Sequence, residues 1–187
     1  SGTQPWAETD ATAPLSVYGR TKLEGEQLTQ QSGCQHLILR TSWVYAARGG
    51  NFAKTMLRLA RERERLTVID DQWGAPTGAE LIADVTAHAI RQVQQRPVGP
   101  HDEAGIYHLA ASGHASWNSY AKHVLAQAAQ AQPAIELVAK EVAPVPTSAF
   151  PTPANRPHNS RLNTAKLQTT FGLRLPPWQQ GVDRMLA

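Results

Sequence analysis

The sequence predicts an α/β fold built on part of a parallel, Rossmann-like sheet, joined to a smaller α/β region suited to holding a substrate. Three observations lead there. Short strand-like runs such as His36–Arg40 and Leu66–Ile69 alternate with longer helical patterns. The stretch Leu37-Ile38-Leu39 is apolar without interruption, as in a strand covered on both faces. It runs straight into Thr41-Ser42-Trp43-Val44-Tyr45, and polar and aromatic groups at a strand's carboxyl end face the ligand crevice in open α/β sheets.

Taken in order, residues 1–14 hold Pro5, Pro14 and small polar residues and read as loop. Ser16 is placed to cap a helix over Val17–Gln31, with Gly33 ending it. After the His36–Arg40 strand, Arg48-Gly49-Gly50 makes a turn. The pattern then predicts a helix over Asn51–Arg65 with Phe52, Met56, Leu57 and Leu59 on its apolar side. Leu66–Ile69 is a second strand. The stretch 70–78 is too rich in Gly, Pro and polar groups to be sheet. A helix over Ala79–Val93, a surface loop over Pro97–Glu103 and a strand over Ile106–Ala110 follow. Ser116 caps a helix reaching Ala131, Ile135–Val142 reads as an edge strand, and 143–160, with five prolines, as a long extended loop. Helices at Thr164–Phe171 and Pro177–Leu186 close the chain. The expected division is a Rossmann-like remainder over 1–65 and a mainly substrate-binding region over 66–187, with the chain free to cross back to the sheet. The Leu37–Arg40 strand looks central and needs parallel neighbours that the sequence does not supply, so a partial domain is expected.

Composition narrows the function classes. Across 187 residues, 18 basic and 15 acidic side chains give a net charge of +3 without a basic tract, which argues against nucleic acid and for a small anionic ligand. The single cysteine, Cys34, excludes an internal disulfide and a cysteine-built zinc site, and is expected to be a small buried hydrophobe. No run of apolar residues is long enough to span a membrane and no signal-peptide pattern is present, so a cytoplasmic protein is expected. Neither G-x-G-x-x-G nor a Walker A motif occurs.

The motif that carries chemistry is Tyr18-Gly19-Arg20-Thr21-Lys22. On a helix, a four-residue spacing stacks the phenol and the ammonium on one face, one turn apart. A neighbouring cation favours the ionised form of a phenol, so such a pair is able to give a proton to a carbonyl oxygen while a hydride reaches the carbon. A surface tyrosine beside a lysine usually does nothing, and the motif needs support from its surroundings.

That support comes from four further stretches: Val17–Glu26 as a whole, Asn51-Phe52-Ala53-Lys54-Thr55-Met56, Gln72-Trp73-Gly74-Ala75-Pro76-Thr77 and Arg156-Pro157-His158-Asn159-Ser160-Arg161-Leu162-Asn163. With them the chain resembles the extended short-chain dehydrogenase/reductases and, within these, the dTDP-4-dehydrorhamnose reductases. The resemblance implies reduction of the C4 keto group of dTDP-4-dehydro-L-rhamnose to dTDP-L-rhamnose, with NADPH (or NADH) as cofactor and a dTDP-sugar as substrate.

By that resemblance Tyr18 would donate the proton, and Lys22 would assist it and bind the nicotinamide ribose. Thr41 and Ser42 would lie at the nicotinamide end of the cofactor. Trp43 would pack on the sugar ring, unless it is a core tryptophan. Gln72, Gly74 and Thr77 would line the substrate loop, or serve only its turns. Arg156 would hold the diphosphate, for which a guanidinium fork is suited. Some family members pair through a carboxylate-held magnesium. Glu80 falls in that region, although a glutamate at a helix N-terminus is explained equally by the helix dipole, and no metal ligand is assigned. The family's Gly-rich pyrophosphate turn and its third catalytic Ser or Thr are not found here. The expectation is therefore an inactive carboxyl-terminal portion that self-associates or pairs with an amino-terminal part. Two alternatives stand beside it: a non-catalytic module like the regulatory subunit of methionine adenosyltransferase, and a nucleotide-sugar epimerase.

Overall fold

A computed structural model describes residues 2–95, 103–150 and 156–187. Its sheet is a set of four strand pairs among the described residues, three parallel and one antiparallel. Helix α1 (Val17–Gln31) begins where expected, Ser16 accepting the Gly19 N–H at 3.1 Å, and Gly33 follows its end at φ 70°, a conformation glycine adopts without strain. Strand β1 (Leu37–Arg40) comes next, then the two-residue β2 (Val44–Tyr45) and α2 (Phe52–Glu62).

Helix α2 stops short of the expected Arg65. Arg63 is already extended, and β3 (Arg65–Ile69) takes the residues beyond it, since Leu66 and Val68 alternate into the core. The stretch read as having no sheet holds β4 (Trp73–Gly74) and β5 (Thr77–Gly78), followed by α3 (Ala79–Gln94). Two-residue strands carry no periodicity, and they form here because their partners are at hand. β5 runs parallel to β2, and β4 pairs antiparallel with β7 (Ala115–Ser116).

β6 (Gly105–His108) lies parallel to β1 over four residues, so the chain supplies one of the neighbours that the sequence seemed to lack. The pairing also brings a strand from the second half of the chain back onto the first. Leu37–Arg40 are half-buried, not fully covered. After α4 (Trp117–Ala131), the strand expected at 135–142 is instead β8 (Glu141–Val145), parallel to β3 in register Leu66 to Val142. Pro144 is accommodated there, as edge strands allow. A 3-10 turn at Thr147–Ala149 then opens the segment read as extended loop, and α5 (Ala165–Phe171) and α6 (Trp178–Leu186) end the chain. Cys34 is exposed, contrary to the expectation of burial, with its sulfur 3.0 Å from the Ser32 hydroxyl in the turn after α1. The expected loop at 97–103 falls almost wholly outside the described residues, as does 151–155 of the proline-rich loop.

Helix α4 organises the core. Tyr120, Val124 and Ala128 face a cluster with Tyr45, Ala53, Trp178, Val182 and Leu186. Its other flank, Ala121 and Leu125, packs on Met56, Ala60, Leu66 and Val68. A third cluster joins α3, β6 and α5 through Val85, Tyr107, Leu109, Leu167 and Phe171. Each fully buried large side chain is worth about 1.5–3 kcal/mol. An exposed ion pair such as Arg58–Glu62 on α2 adds about 0–1 kcal/mol. Burial on α4 therefore outweighs every surface pair.

By contrast α1 buries no residue completely and leaves Leu15, Val17, Tyr18 and Leu28 exposed. It is held to β1 by Arg40, whose Nη2 and Nε donate to the Glu26 carboxylate at 2.6 and 3.0–3.1 Å.

The start of α4 is a closed capping box. Ser116 accepts the Ser119 N–H at 3.1 Å, the Ser119 hydroxyl accepts the Ser116 N–H at 2.9 Å, and the Ser116 hydroxyl also donates to Asp70. Ser116→Ala is expected to cost about 1–2 kcal/mol in urea denaturation, because the cap and the carboxylate's partner are lost together. Ser16→Ala at the exposed α1 cap should cost distinctly less.

Candidate functional site

The Tyr18 and Lys22 side chains meet as their spacing requires. The Lys22 ammonium stands 5.6 Å from the Tyr18 ring centroid. Both are exposed, Tyr18 at 72%. The Arg40–Glu26 pair fixes their helix to β1, whose end leads into Thr41, Ser42 and Trp43. Among the described residues, the buried Ser42 hydroxyl finds no hydrogen-bond partner, whereas Thr41 is exposed.

Trp43 is the geometric centre of the strand end. Its backbone sits at φ 51°, the left-handed region that non-glycine residues rarely enter, and its carbonyl accepts the Thr77 N–H at 3.1 Å. The indole lies on Trp117, ring centroids 3.7 Å apart and planes 14° from parallel. Its other neighbour is Gly74, where a Cβ would come within 2.5 Å of the ring. Trp43 is half-buried and packed against the α4 core, so it serves the core while remaining partly accessible.

Gln72 and Thr77 are turned inward. Gln72 is buried, donating from Nε2 to the Thr147 hydroxyl at 3.1 Å and accepting Trp117 Nε1–H at 3.2 Å. Thr77 is fully buried. Its hydroxyl donates to the Ala75 carbonyl at 2.9 Å and accepts the Ala111 N–H at 3.1 Å. These two polar groups are engaged by the fold itself, which supports turn chemistry over direct ligand contact.

Arg156 is exposed and belongs to a segment pinned beside the Trp73 loop. The Trp73 N–H donates to the His158 carbonyl at 2.8 Å, and the Ser160 N–H to the Trp73 carbonyl at 2.7 Å. The structure thus brings together two stretches that are about eighty residues apart in sequence. Residues 2–10 are fastened to the same place. Asn159 Nδ2 donates to the Gly2 and Gln4 carbonyls at 2.9 and 2.7 Å, and Trp6 Nε1–H to the Asn159 carbonyl at 3.1 Å. Glu8 accepts the His108 N–H at 2.8 Å, while His108 Nδ1–H donates to the Trp6 carbonyl at 2.9 Å. Burial pushes the His108 imidazole below its ordinary value, against the pull of Glu8.

Sequence reasoning did not single out Asp71 or Trp117. The Asp71 carboxylate accepts the Thr147 N–H at 2.9 Å and its hydroxyl at 2.5 Å, and the Asp71 carbonyl accepts His158 Nδ1–H at 2.9 Å. Acidic residues ahead of a Gly/Pro loop, and an indole directly after a cap serine, were the available signals. Burial alone would raise the Asp71 carboxyl, but Thr147 and then His158 outweigh it and hold it below the usual carboxylate range.

Glu80, the residue considered for magnesium, receives Arg184 Nη2–H at 2.9 Å. Among the described residues no three His, Cys, Asp or Glu side chains gather as a metal cluster, and no helix is long and apolar enough to cross a membrane.

Comparison with known proteins agrees with this geometry. The family model of the RmlD substrate binding domain matches residues 1–187. The dTDP-4-dehydrorhamnose reductase of Escherichia coli K12 is 61% identical over 186 residues, covering 100% of this chain and 60% of its own length. The reductase of Burkholderia thailandensis is 43% identical, with 95% of this chain and 60% of its own length covered. Among solved structures, the dTDP-4-dehydrorhamnose reductase of Bacillus anthracis in complex with NADP is 31% identical at a TM-score of 0.80, over 97% of this chain and 58% of that one. The Clostridium acetobutylicum orthologue, also 31% identical, gives 0.84 over 98% and 59%. The chain thus spans about three fifths of the length of these relatives. A UDP-glucuronic acid 4-epimerase of Bacillus cereus, 17% identical at a TM-score of 0.70 over 99% of this chain and 56% of that one, shares the fold.

Two outcomes test the site's construction. Gly74→Ala should destabilise the chain by about 1–3 kcal/mol in urea, because the new methyl must displace the Trp43 indole. Its tryptophan fluorescence should shift as the stacked pair opens. The second outcome concerns pH. A carboxyl held low in the folded state contributes stability above its unfolded value and loses it as pH falls through the folded one. Asp71→Asn should therefore be less stable than the parent at pH 7, and the gap should close as acid protonates the carboxyl, from the ordinary carboxylate range downward. A gap that is constant across this range would remove the charge from the account.

Proposed function

The chain belongs to the family of the RmlD substrate binding domain, and we propose that it supplies the sugar-nucleotide side and the Tyr/Lys pair of an NADPH-dependent dTDP-4-dehydrorhamnose reductase. The observation that carries the reading is the Lys22 ammonium 5.6 Å from the Tyr18 ring, on a helix clamped to the strand that leads into Trp43. In this reading Tyr18 gives its proton to the C4 oxygen of the sugar, and Lys22 supports the negative charge left on the phenol. Trp43 offers the open part of its ring to the sugar, which the stack on Trp117 keeps from tilting. Arg156 takes the diphosphate as a guanidinium fork. Gly74 gives Trp43 its room, while Gln72 and Thr77 hold the loop's shape. The orphaned Ser42 hydroxyl fits a polar group arriving at the strand end. With Thr41, Tyr18 and Lys22 it would hold the nicotinamide end of NADPH, which when bound supplies a hydride.

The division at residue 65 belongs to this reading: 1–65 carries the proton-transfer pair, and 66–187 mainly the sugar nucleotide. So does a cytoplasmic setting. The exposed Leu15 just before α1, with Val17 and Leu28 on it, supports self-association, or pairing with the remainder of a reductase of the relatives' length. NADPH is assigned through the relatives, one of which was solved with NADP.

Tyr18→Phe, introduced into a reductase of the relatives' length that carries this sequence, should lower kcat about 10²–10⁴-fold and leave the affinity for dTDP-L-rhamnose nearly unchanged. Trp43→Ala should weaken dTDP-sugar binding far more than NADPH binding by calorimetry. A Tyr18→Phe rate within about threefold of the parent would sink the proton-donor role.

A further inference from the structure

Tyr45 ends β2 and is only 6% exposed, yet among the described residues its hydroxyl has no hydrogen-bond partner. The oxygen is wedged between two glycines. A Cβ on Gly78 would lie 3.3 Å from it, and one on Gly181 only 2.5 Å. Tyr45, Gly78 and Gly181 all line a cavity of about 210 Å³ between β2, α3 and α6. Ala46, Ala111, Pro177, Trp178 and Met185 give that cavity apolar walls.

A second set of donors reaches the same space. Gly78 is the N-cap of α3 and brings no side-chain cap, and Ala79, Glu80 and Leu81 of the first turn line the cavity. Backbone N–H groups in a helix's first turn have no partner within the helix. Phenol and amides together ask for an acceptor.

The charges decide which acceptor. Arg184, Glu80 and Asp183 all act on the Tyr45 hydroxyl. Arg184 is already paired with Glu80 at 2.9 Å, and Asp183 with His123 at 2.6 Å. One guanidinium against two carboxylates gives an incoming anion nothing to neutralise. Burial raises the phenol; Arg184 pulls it down, Glu80 and Asp183 push it up, and it rests at about 12. At neutral pH the hydroxyl is therefore a donor.

We propose that this cavity binds a small neutral molecule carrying a carbonyl acceptor on an apolar body, with the Tyr45 hydroxyl as the donor that fixes it. The site shares no residue with the proton-transfer pair, and it stands or falls independently of the reductase reading.

The test is an NMR titration of the 187-residue chain with benzamide, benzoate and toluene, which share a ring and differ in acceptor and charge. Benzamide should bind saturably with a dissociation constant of about a millimolar and shift Ala46, Gly78 and Gly181, with benzoate and toluene about fivefold weaker or worse. Tyr45→Phe should weaken benzamide about 5–10-fold, leave toluene unchanged and keep or raise the melting temperature, since the hydroxyl has no partner to lose. Gly181→Ala, whose methyl must displace that oxygen, should abolish the preference for benzamide over toluene while leaving every observed hydrogen bond in place. Absence of saturable benzamide shifts at about 20 mM, benzoate binding as well as benzamide, or a benzamide affinity that survives both variants would each overturn the proposal.

Discussion

The close approach of the Trp43 indole to the backbone of Gly74 is the constraint on which the site depends. At any residue other than glycine, a Cβ would enter the ring at 2.5 Å. With glycine there, the indole lies flat on Trp117 and ties the end of the first strand pair to the first turn of α4. Its left-handed backbone costs about 1–3 kcal/mol where a non-glycine residue holds it. The stack of Trp43 on Trp117 and the packing of Trp117 against Phe52 offset that cost. The strain is placed where the chain turns from β1 into β2, at the carboxyl edge of the parallel pair.

From Trp117 the order is carried on by hydrogen bonds. Its Nε1–H reaches Gln72, whose amide reaches Thr147, which Asp71 holds by both N–H and hydroxyl. His158 closes the chain of contacts on the Asp71 carbonyl, two residues from Arg156. Hydrogen bonds to a charged acceptor contribute about 1.5–3 kcal/mol each, roughly twice a neutral one. Asp71 is thus the strongest joint in the chain of contacts, and its lowered carboxyl is the electrostatic sign of that role. Helix α1, which carries Tyr18 and Lys22, is attached differently. It lies along a half-buried stripe of Ser16, Gly19, Leu23, Glu26 and Thr29, secured by one bidentate ion pair. A helix of this length is marginal alone, so its position is set by Arg40 and by whatever covers Leu15, Val17 and Leu28.

What could be read in the sequence follows from which features have a period or a cap. The helices did: Ser16 and Ser116 cap the helices they precede, α1 and α4 ended where the pattern said, and Asn51, read as the first helical residue, proves to be the cap of α2. The family, the α/β class and the Tyr18–Lys22 pairing were legible for the same reason, being local in sequence. The two-residue strands were not, because Trp73–Gly74 and Thr77–Gly78 owe their pairing to partners tens of residues away. Edge strand β8 was misplaced by a few residues since Pro144 looks like a breaker and is harmless at an edge. Cys34 was expected inside on average chemistry, yet the turn after α1 leaves it outside. Asp71 and Trp117 were missed because their importance lies in what they touch.

The candidate site also separates two kinds of polar residue that share one sequence motif. In Gln72-Trp73-Gly74-Ala75-Pro76-Thr77 the side chains with most hydrogen-bonding capacity, Gln72 and Thr77, are buried and satisfied within the fold. An internal hydrogen bond nets about 1 kcal/mol, but an orphaned buried polar atom costs about 1–3 kcal/mol. A ligand that drew either group away would have to repay that larger sum. The groups left free to meet a ligand are the exposed ones, Tyr18, Lys22 and Arg156, together with the uncommitted hydroxyl of Ser42. The loop therefore contributes shape, through Gly74 and the indole it admits, while the exposed charged side chains stand on elements on either side of it.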